Sequence, residues 1–209
     1  MDRTSPLLEL LRLGATMSRL MIDVDDTIAD TQKLLIEKIN PLTDHRYSFE
    51  GMTRGHRENA AEFDEWNDHV RRLLKMPNDI ALIKPSAGAQ PAFERLFHHD
   101  FDPDITTARK APLFDCTDQW LKEYHFWPFV NEIHRRRDNE RGVEFKCRIA
   151  REYQFAAAFD DTADVVEALS RFVPVVYLIN KPWNVDTDFP SNVIRVKSFA
   201  EGVDRLLSS

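Results

Sequence analysis

Cysteine is nearly missing from this chain: Cys116 and Cys147 are the only two among 209 residues. Two thiols at an unpatterned spacing supply neither a disulfide framework nor the clustered thiolates of a zinc site. They fit a reduced, cytoplasmic protein. Long apolar runs are missing too, which excludes a membrane-spanning helix of about 20 residues. The apolar cluster near the start, Leu7, Leu8, Leu10, Leu11 and Leu13, is broken by Glu9 and Arg12 and lacks a basic start, so it does not read as a secretory signal. There is no excess of positive charge. With 28 Lys and Arg against 35 Asp and Glu, the net charge is −7. A protein that coats nucleic acid needs a broad basic footprint, so no stable nucleic-acid complex is expected, although one small phosphate needs only a local basic pocket. Internal repeats and low-complexity tracts are also lacking.

What is there is the material of a globular protein. Hydrophobic residues make up 43% and charged residues 30%, and 14 Phe and 4 Trp give ample bulk for a core. From Arg19 onward, short apolar runs alternate with amphipathic stretches. Leu20-Met21-Ile22 leads into the acidic cluster Asp23-Val24-Asp25-Asp26-Thr27. Asp30 to Ile39 reads as a helix with Leu35, Ile36 and Ile39 on one side, ended by Pro41. Residues 42–84 are polar and strand-poor, with Phe63, Trp66, Val70, Leu73 and Leu74 near helical spacing. Pro85-Ser86-Ala87-Gly88-Ala89 closes that stretch, and Pro91 to Phe97 begins another helix.

Strand-helix alternation then resumes. Asp104 to Thr107 reads as a strand end, Thr117 as the cap of a helix carrying Trp120 and Leu121, and Phe129 to His134 as a polar strand. After a charged loop from Arg135 to Gly142, Lys146 to Tyr153 reads as a helix, Phe155 to Phe159 as a buried strand and Thr162 to Phe172 as a helix. Val175 to Ile179 and Val193 to Val196 read as strands, and Ser198-Phe199-Ala200-Glu201 as a capping box opening a last helix. Strands separated by helices predict an α/β fold with a doubly wound, mainly parallel sheet, whose ligands sit at the carboxyl ends of strands. The expected organisation is an N-terminal extension over 1–19, a Rossmann-like core over 20–41 and 85–209, and a small helical cap over 42–84.

Three carboxylates within four residues, at Asp23, Asp25 and Asp26, repel one another unless a cation offsets them. A hard divalent ion with oxygen ligands does so, and Mg²⁺ suits a site that also holds phosphate. Strand alternation puts Asp23 and Asp25 on one side with Val24 facing away. An acidic turn capping the next helix is the plain alternative. A second acidic pair, Asp160-Asp161, ends another predicted strand, with Asp164 one turn on. Helix capping explains one of those carboxylates but not a pair, whereas two acidic strand ends in one parallel sheet can converge on a single metal.

In these residues the chain resembles the haloacid dehalogenase (HAD) superfamily of phosphohydrolases. Asp23-Val24-Asp25-Asp26-Thr27 stands as the first motif, Thr107 (in Thr107-Ala108-Arg109) as the second, Lys146 as the third, with Arg148 and Arg151 nearby as rivals, and Asp160-Asp161 with Asp164 as the fourth. The run from Asp23 to Asp30, the Pro-Ser-Ala-Gly-Ala stretch and Asn180-Lys181-Pro182-Trp183-Asn184 are similar to the 5′(3′)-deoxyribonucleotidase-like branch. The resemblance implies a phosphatase in which Asp23 is the nucleophile and Asp25 the acid and base. Lys146 offsets transition-state charge, and Thr107, Asp26 and Asn184 join it in binding substrate. Asp23, Asp25 (through its carbonyl) and Asp161 hold Mg²⁺, with Asp160 and Asp164 in support. It further implies a nucleoside monophosphate as substrate, with Trp66, Phe63 or Phe49 available to stack on a base. A general small-molecule phosphomonoesterase, a polynucleotide-end phosphatase and an inactive phosphate-binding module are the rival readings. A homodimer is among the states the sequence admits.

Overall fold

The computed structural model describes residues 18–53, 60–73, 76–185 and 187–208. The expectations for residues 1–17, for Leu74 and for the side chain of Phe63 fall outside the described residues. The strands are β1 (Ser18–Ile22), β2 (Phe101–Thr107), β3 (Glu132–Arg135), β4 (Ala157–Asp160), β5 (Val175–Ile179) and β6 (Val193–Val196). The helices are α1 (Thr31–Ile39), α2 (Ala60–Leu73), α3 (Pro77–Ile80), α4 (Ala89–His98), α5 (Phe114–Glu123), α6 (Gly142–Glu152), α7 (Ala163–Leu169) and α8 (Phe199–Leu207).

The six strands form one sheet in the order β3-β2-β1-β4-β5-β6, and every neighbouring pair is parallel. β1 explains the arrangement. Leu20, Met21 and Ile22 are all buried, because helices cover both faces and successive side chains point to opposite sides. Leu20 and Ile22 join Ile105, Phe159 and Tyr177 against Phe93 of α4, Trp120 of α5 and Phe199 and Val203 of α8. Met21 joins Ala158, Val176 and Leu178 against Phe145 and Ile149 of α6 and Val165 and Val166 of α7. From β1 the chain winds outward through β2 and β3, then returns to β4 on the other side of β1. This order opens a crevice at the carboxyl ends of β1 and β4, where the winding reverses.

The stretch between α1 and α4 packs on α1. Leu35 and Ile39 meet Tyr47, Met52 and Trp66, with Trp183 from beyond β5 in the same cluster. Trp66 stands edge-on to Tyr47 at 4.8 Å between ring centroids. Trp66 is buried in this cluster and is a packing residue.

Several element boundaries differ from the sequence reading for local reasons. Thr117 lies inside α5, where its hydroxyl donates to the Leu113 carbonyl at 2.7 Å instead of capping the helix. Trp127–Phe129, with Pro128 inside it, is a 3-10 turn, so β3 starts only at Glu132. β1 takes in Ser18 and Arg19, which the sequence reading leaves in the extension. At α8, Ser198 Oγ accepts from Glu201 N at 3.2 Å, but the Glu201 carboxylate accepts from Lys197 N instead of closing the box on Ser198. Among the described residues no helix is long and apolar enough to cross a membrane.

α8 lies close against β4, with Phe199 and Val203 in the same cluster as Phe159. A Cβ placed on Gly202 of α8 would come 2.9 Å from Cε1 of Phe159. Replacing Gly202 by Ala gains up to about 1 kcal/mol of helix propensity, but overpacking a core typically costs about 1–3 kcal/mol. Gly202→Ala is therefore expected to lower the denaturant midpoint. An unchanged or higher midpoint would show that Phe159 moves aside freely.

Candidate active site

The crevice is built from the first loop upward. Past the end of β1, Asp23 N donates to Phe159 O at 3.0 Å, which carries strand pairing one residue further and sets Asp23 beside Asp160. The Val24 carbonyl then accepts from Thr27, Ile28 and Ala29 at 3.4, 3.1 and 3.0 Å, turning the chain back on itself. Asp26 takes the left-handed conformation this turn needs (φ 57°), which Asp tolerates better than most residues. Its carboxylate accepts from Gln32 N at 2.9 and 3.2 Å and ties the loop to the start of α1.

Asp25 faces the crevice. One of its oxygens, Oδ1, accepts from Thr31 Oγ1 at 2.6 Å and from Arg109 Nη2 at 2.6 Å; Arg109 Nε lies 3.1 Å from Oδ2. From the other side of β1, Lys146 of α6 reaches both Asp23 Oδ1 and Asp160 Oδ2, each at 2.6 Å. Asp160 Oδ1 accepts from Thr162 N at 2.9 Å. Asp161 Oδ2 accepts from the indole N–H of Trp183 at 2.9 Å.

Carboxylate oxygens of Asp23, Asp160 and Asp161 lie within 4.8 Å of one another, and all three residues are buried. Burial raises the Asp23 carboxyl well above its usual range, and Asp160 and Asp161 add to the rise while Lys146 opposes it. Burial, then the charges of Asp160 and Asp26, push Asp161 up to about 8. Burial likewise lifts Asp26 to about 7. Burial also acts against Asp25, but the Arg109 guanidinium outweighs it and holds that carboxyl below its usual value. Burial would discharge Lys146, yet Asp160 and Asp23 together keep its ammonium charged. Three carboxylates thus share one ammonium. A second cation with a preference for oxygen would relieve the remaining charge, and the donor set fits Mg²⁺. A second group, Asp104, Glu132 and His134, also brings ligand atoms together, but it already holds a cation. Arg19 Nη2 lies 2.6 Å from Glu132 Oε2 and Nε 2.9 Å from Asp104 Oδ2.

Asp23, Asp25, Asp26, Lys146 and Asp161 line one cleft of about 380 Å³, joined by Gln32, Arg141 and Trp183. Asp160 stands with them on Lys146, whereas Thr107, Asn184 and Asp164 are not lining residues. Ala108, not Thr107, forms the cleft wall at the end of β2. Thr107 is buried, and its Oγ1 accepts from Arg109 N at 3.2 Å. Asn184 is not a contact residue of the cleft, because its amide is spent on the backbone: Nδ2 donates to the carbonyls of Asp161 and Ile179 at 2.7 and 2.9 Å. It braces Asp161 from behind. Asp164 is exposed in the first turn of α7, apart from the buried carboxylates. Arg148, the rival to Lys146, points the other way and pairs with Glu140 at 2.8 Å. Besides the lining residues Gln32 and Arg141, Arg109 and Trp183 enter the site by holding its carboxylates, and sequence reasoning assigned neither to it. Arg109 stood only as the tail of the Thr107 motif, although a basic residue two positions after a strand-end Thr was a usable signal. Trp183 stood as a turn aromatic beside the site.

Metal and pH should therefore be linked in stability. An Asp161 carboxyl that titrates at 3.8 when free and about 8 when folded favours the protonated form on folding. The stability it contributes is complete below the free value and is lost as pH rises through the folded value. Mg²⁺ binds the carboxylate form and stabilises by mass action. The rise in Tm on adding Mg²⁺ should grow as pH climbs across that window. A rise that stays flat or shrinks with pH would contradict this electrostatic account.

No family model matches this sequence, and no curated protein matches it by sequence. Solved structures do match by fold. A predicted phosphatase from Clostridium acetobutylicum aligns at a TM-score of 0.62 with 10% identity, covering 93% of this chain and 100% of that one. CbbY from Rhodobacter sphaeroides in complex with phosphate aligns at 0.58 with 16% identity, over 89% and 96% of the two chains. A mutant of the same protein was solved with xylulose-(1,5)bisphosphate. YfnB from Bacillus subtilis, described as a putative HAD-hydrolase and bound to magnesium, aligns at 0.58 with 15% identity over 93% and 100%. The six-stranded parallel sheet and its flanking helices are those of the HAD-like fold.

Proposed function

We propose that this chain is a Mg²⁺-dependent phosphatase that hydrolyses a small phosphate monoester through an aspartyl-phosphate on Asp23. The observation that carries the reading is the convergence of Asp23, Asp160 and Asp161 on one another and on Lys146, with Asp25 beside them in the same cleft. Asp23 and Asp161, with the Asp25 carbonyl, would hold the metal, which when bound supplies positive charge to the phosphoryl oxygens.

In the first half-reaction a carboxylate oxygen of Asp23 attacks phosphorus. The P–O ester bond breaks with its electron pair on the leaving oxygen, which takes a proton from Asp25. In the second half, water attacks the phosphorus of the aspartyl-phosphate and gives its proton to Asp25. Phosphate leaves and the Asp23 carboxylate is restored. Asp25 donates in the first half and accepts in the second, so it returns to the same state each turnover; because Arg109 favours the ionised carboxylate, the protonated donor is the minor form at neutral pH. Lys146, held between Asp23 and Asp160, opposes charge developing at phosphorus.

Residues 42–84 serve as a cap in this reading. Trp183 lines the cleft, and Phe49 of that stretch packs edge-on against it with ring centroids 5.6 Å apart. An aromatic wall suits a nucleobase and supports a nucleoside monophosphate as substrate. The phosphate and sugar-bisphosphate complexes of CbbY support a phosphorylated sugar as the second reading.

A panel of nucleoside monophosphates, sugar phosphates and a 5′-phosphorylated oligonucleotide, assayed with Mg²⁺ and with chelator, separates these. Turnover is expected for a small monoester, abolished by chelator and restored by Mg²⁺. Asp23→Asn should lower kcat by more than about 10³-fold, beyond what losing a single stabilising donor costs. Near-normal turnover by Asp23→Asn would exclude the aspartyl-phosphate route. Mg²⁺ binding without turnover of any ester would favour an inactive phosphate-binding module.

A further inference from the structure

Arg109 is a buried cation whose three guanidinium nitrogens are all engaged. Nε and Nη2 fork onto Asp25, and Nη1 donates to Thr117 Oγ1 at 3.1 Å. Thr117 is in turn fixed by its bond to the Leu113 carbonyl, and the Arg109 amide is fixed by Thr107. The arginine side chain is 2% exposed while that of Asp25 is 34% exposed. The charge pair therefore has a closed back and an open front. Burying an ion pair seldom repays the loss of hydration, so stability is a weak reason for placing an arginine here. A forked guanidinium does fix the plane of a carboxylate, which a point charge cannot.

The fork divides the work between the two carboxylate oxygens. Oδ1 takes Thr31 Oγ1 and Arg109 Nη2, both at 2.6 Å, with Nε at 3.2 Å, and is saturated. Among the described residues Oδ2 takes only Arg109 Nε, at 3.1 Å. One oxygen is anchored and the other has lone-pair capacity left.

We propose that Arg109, seated on Thr117, is a positioning residue that locks the Asp25 carboxyl so that Oδ2 alone exchanges protons with the leaving oxygen and the attacking water. This role rests on the phosphatase reading above. It makes Arg109 matter in proportion to how much the leaving group needs a proton. An alkoxide must be protonated as it departs, whereas p-nitrophenolate departs as the anion.

The test compares kcat/KM for p-nitrophenyl phosphate and for the alkyl monoester turned over fastest, in the unsubstituted protein, Arg109→Met, Asp25→Asn and the double variant. Arg109→Met should lose about 10²-fold on the alkyl ester, the scale of general acid–base catalysis, and less than about tenfold on the aryl ester. Asp25→Asn should show the same split, and the double variant should be no slower than Asp25→Asn, because the two residues act as one unit. Thr117→Val keeps the charge pair and shape and removes only the seat of Nη1. It should show a smaller loss with the same ester dependence, and it carries the test if Arg109→Met fails to fold. Equal losses on both esters, or losses that multiply in the double variant, would overturn the role of Arg109 alone. An unsubstituted protein inert toward both esters would overturn the phosphatase reading and this role together.

Discussion

The ammonium of Lys146 lies between two aspartates that arrive from separate strands, and much else in the molecule follows from that contact. Asp23 and Asp160 are both buried, and each would repel the other strongly if brought together without a cation. The sheet brings them together regardless, because β1 and β4 are hydrogen-bonded neighbours and the Asp23 amide prolongs their pairing. Lys146 makes the approach tolerable from α6, which packs on the same face through Phe145 and Ile149. One positive charge is still too few for Asp23, Asp160 and Asp161. The cluster around Asp104 differs, because Arg19 is seated on both of its carboxylates and one of them, Glu132, is open to water.

Around this centre, neutral donors hold the carboxylates at fixed angles. Trp183 holds Asp161 through its indole N–H and Asn184 holds the Asp161 carbonyl, both from the segment after β5. Phe49 leans on Trp183 from the stretch between α1 and α4. A continuous set of contacts therefore runs from that stretch to a candidate metal ligand. On the opposite side, Arg109 and Thr31 hold Asp25. The site is preorganised by side chains that do not themselves react, as electrostatic catalysis requires.

Much of this was legible in the sequence, and the parts that were not share a cause. The strand-helix alternation, the acidic ends of β1 and β4 and the candidacy of Lys146 are local patterns, and the structure gathers those residues in one cleft. Contacts made by long side chains across the sheet leave no local pattern. The fork of Arg109 on Asp25 joins β2 to β1, and the Trp183 bond to Asp161 joins two loops. Polar residues were misassigned where the backbone competes for them. Thr117 looked like a helix cap but back-bonds within α5, and Asn184 looked like a substrate contact but serves two carbonyls. Asp164 shared the spacing of a site residue without its burial.

The central claim is that Asp23 and Asp161 share one divalent ion. A crystal structure grown with Mg²⁺ and a phosphate mimic tests it most directly. The account requires an ion contacted by both of those carboxylates, with the mimic against Asp23. An ordered mimic elsewhere in the molecule, or an ion that touches only one of the two aspartates, would contradict it.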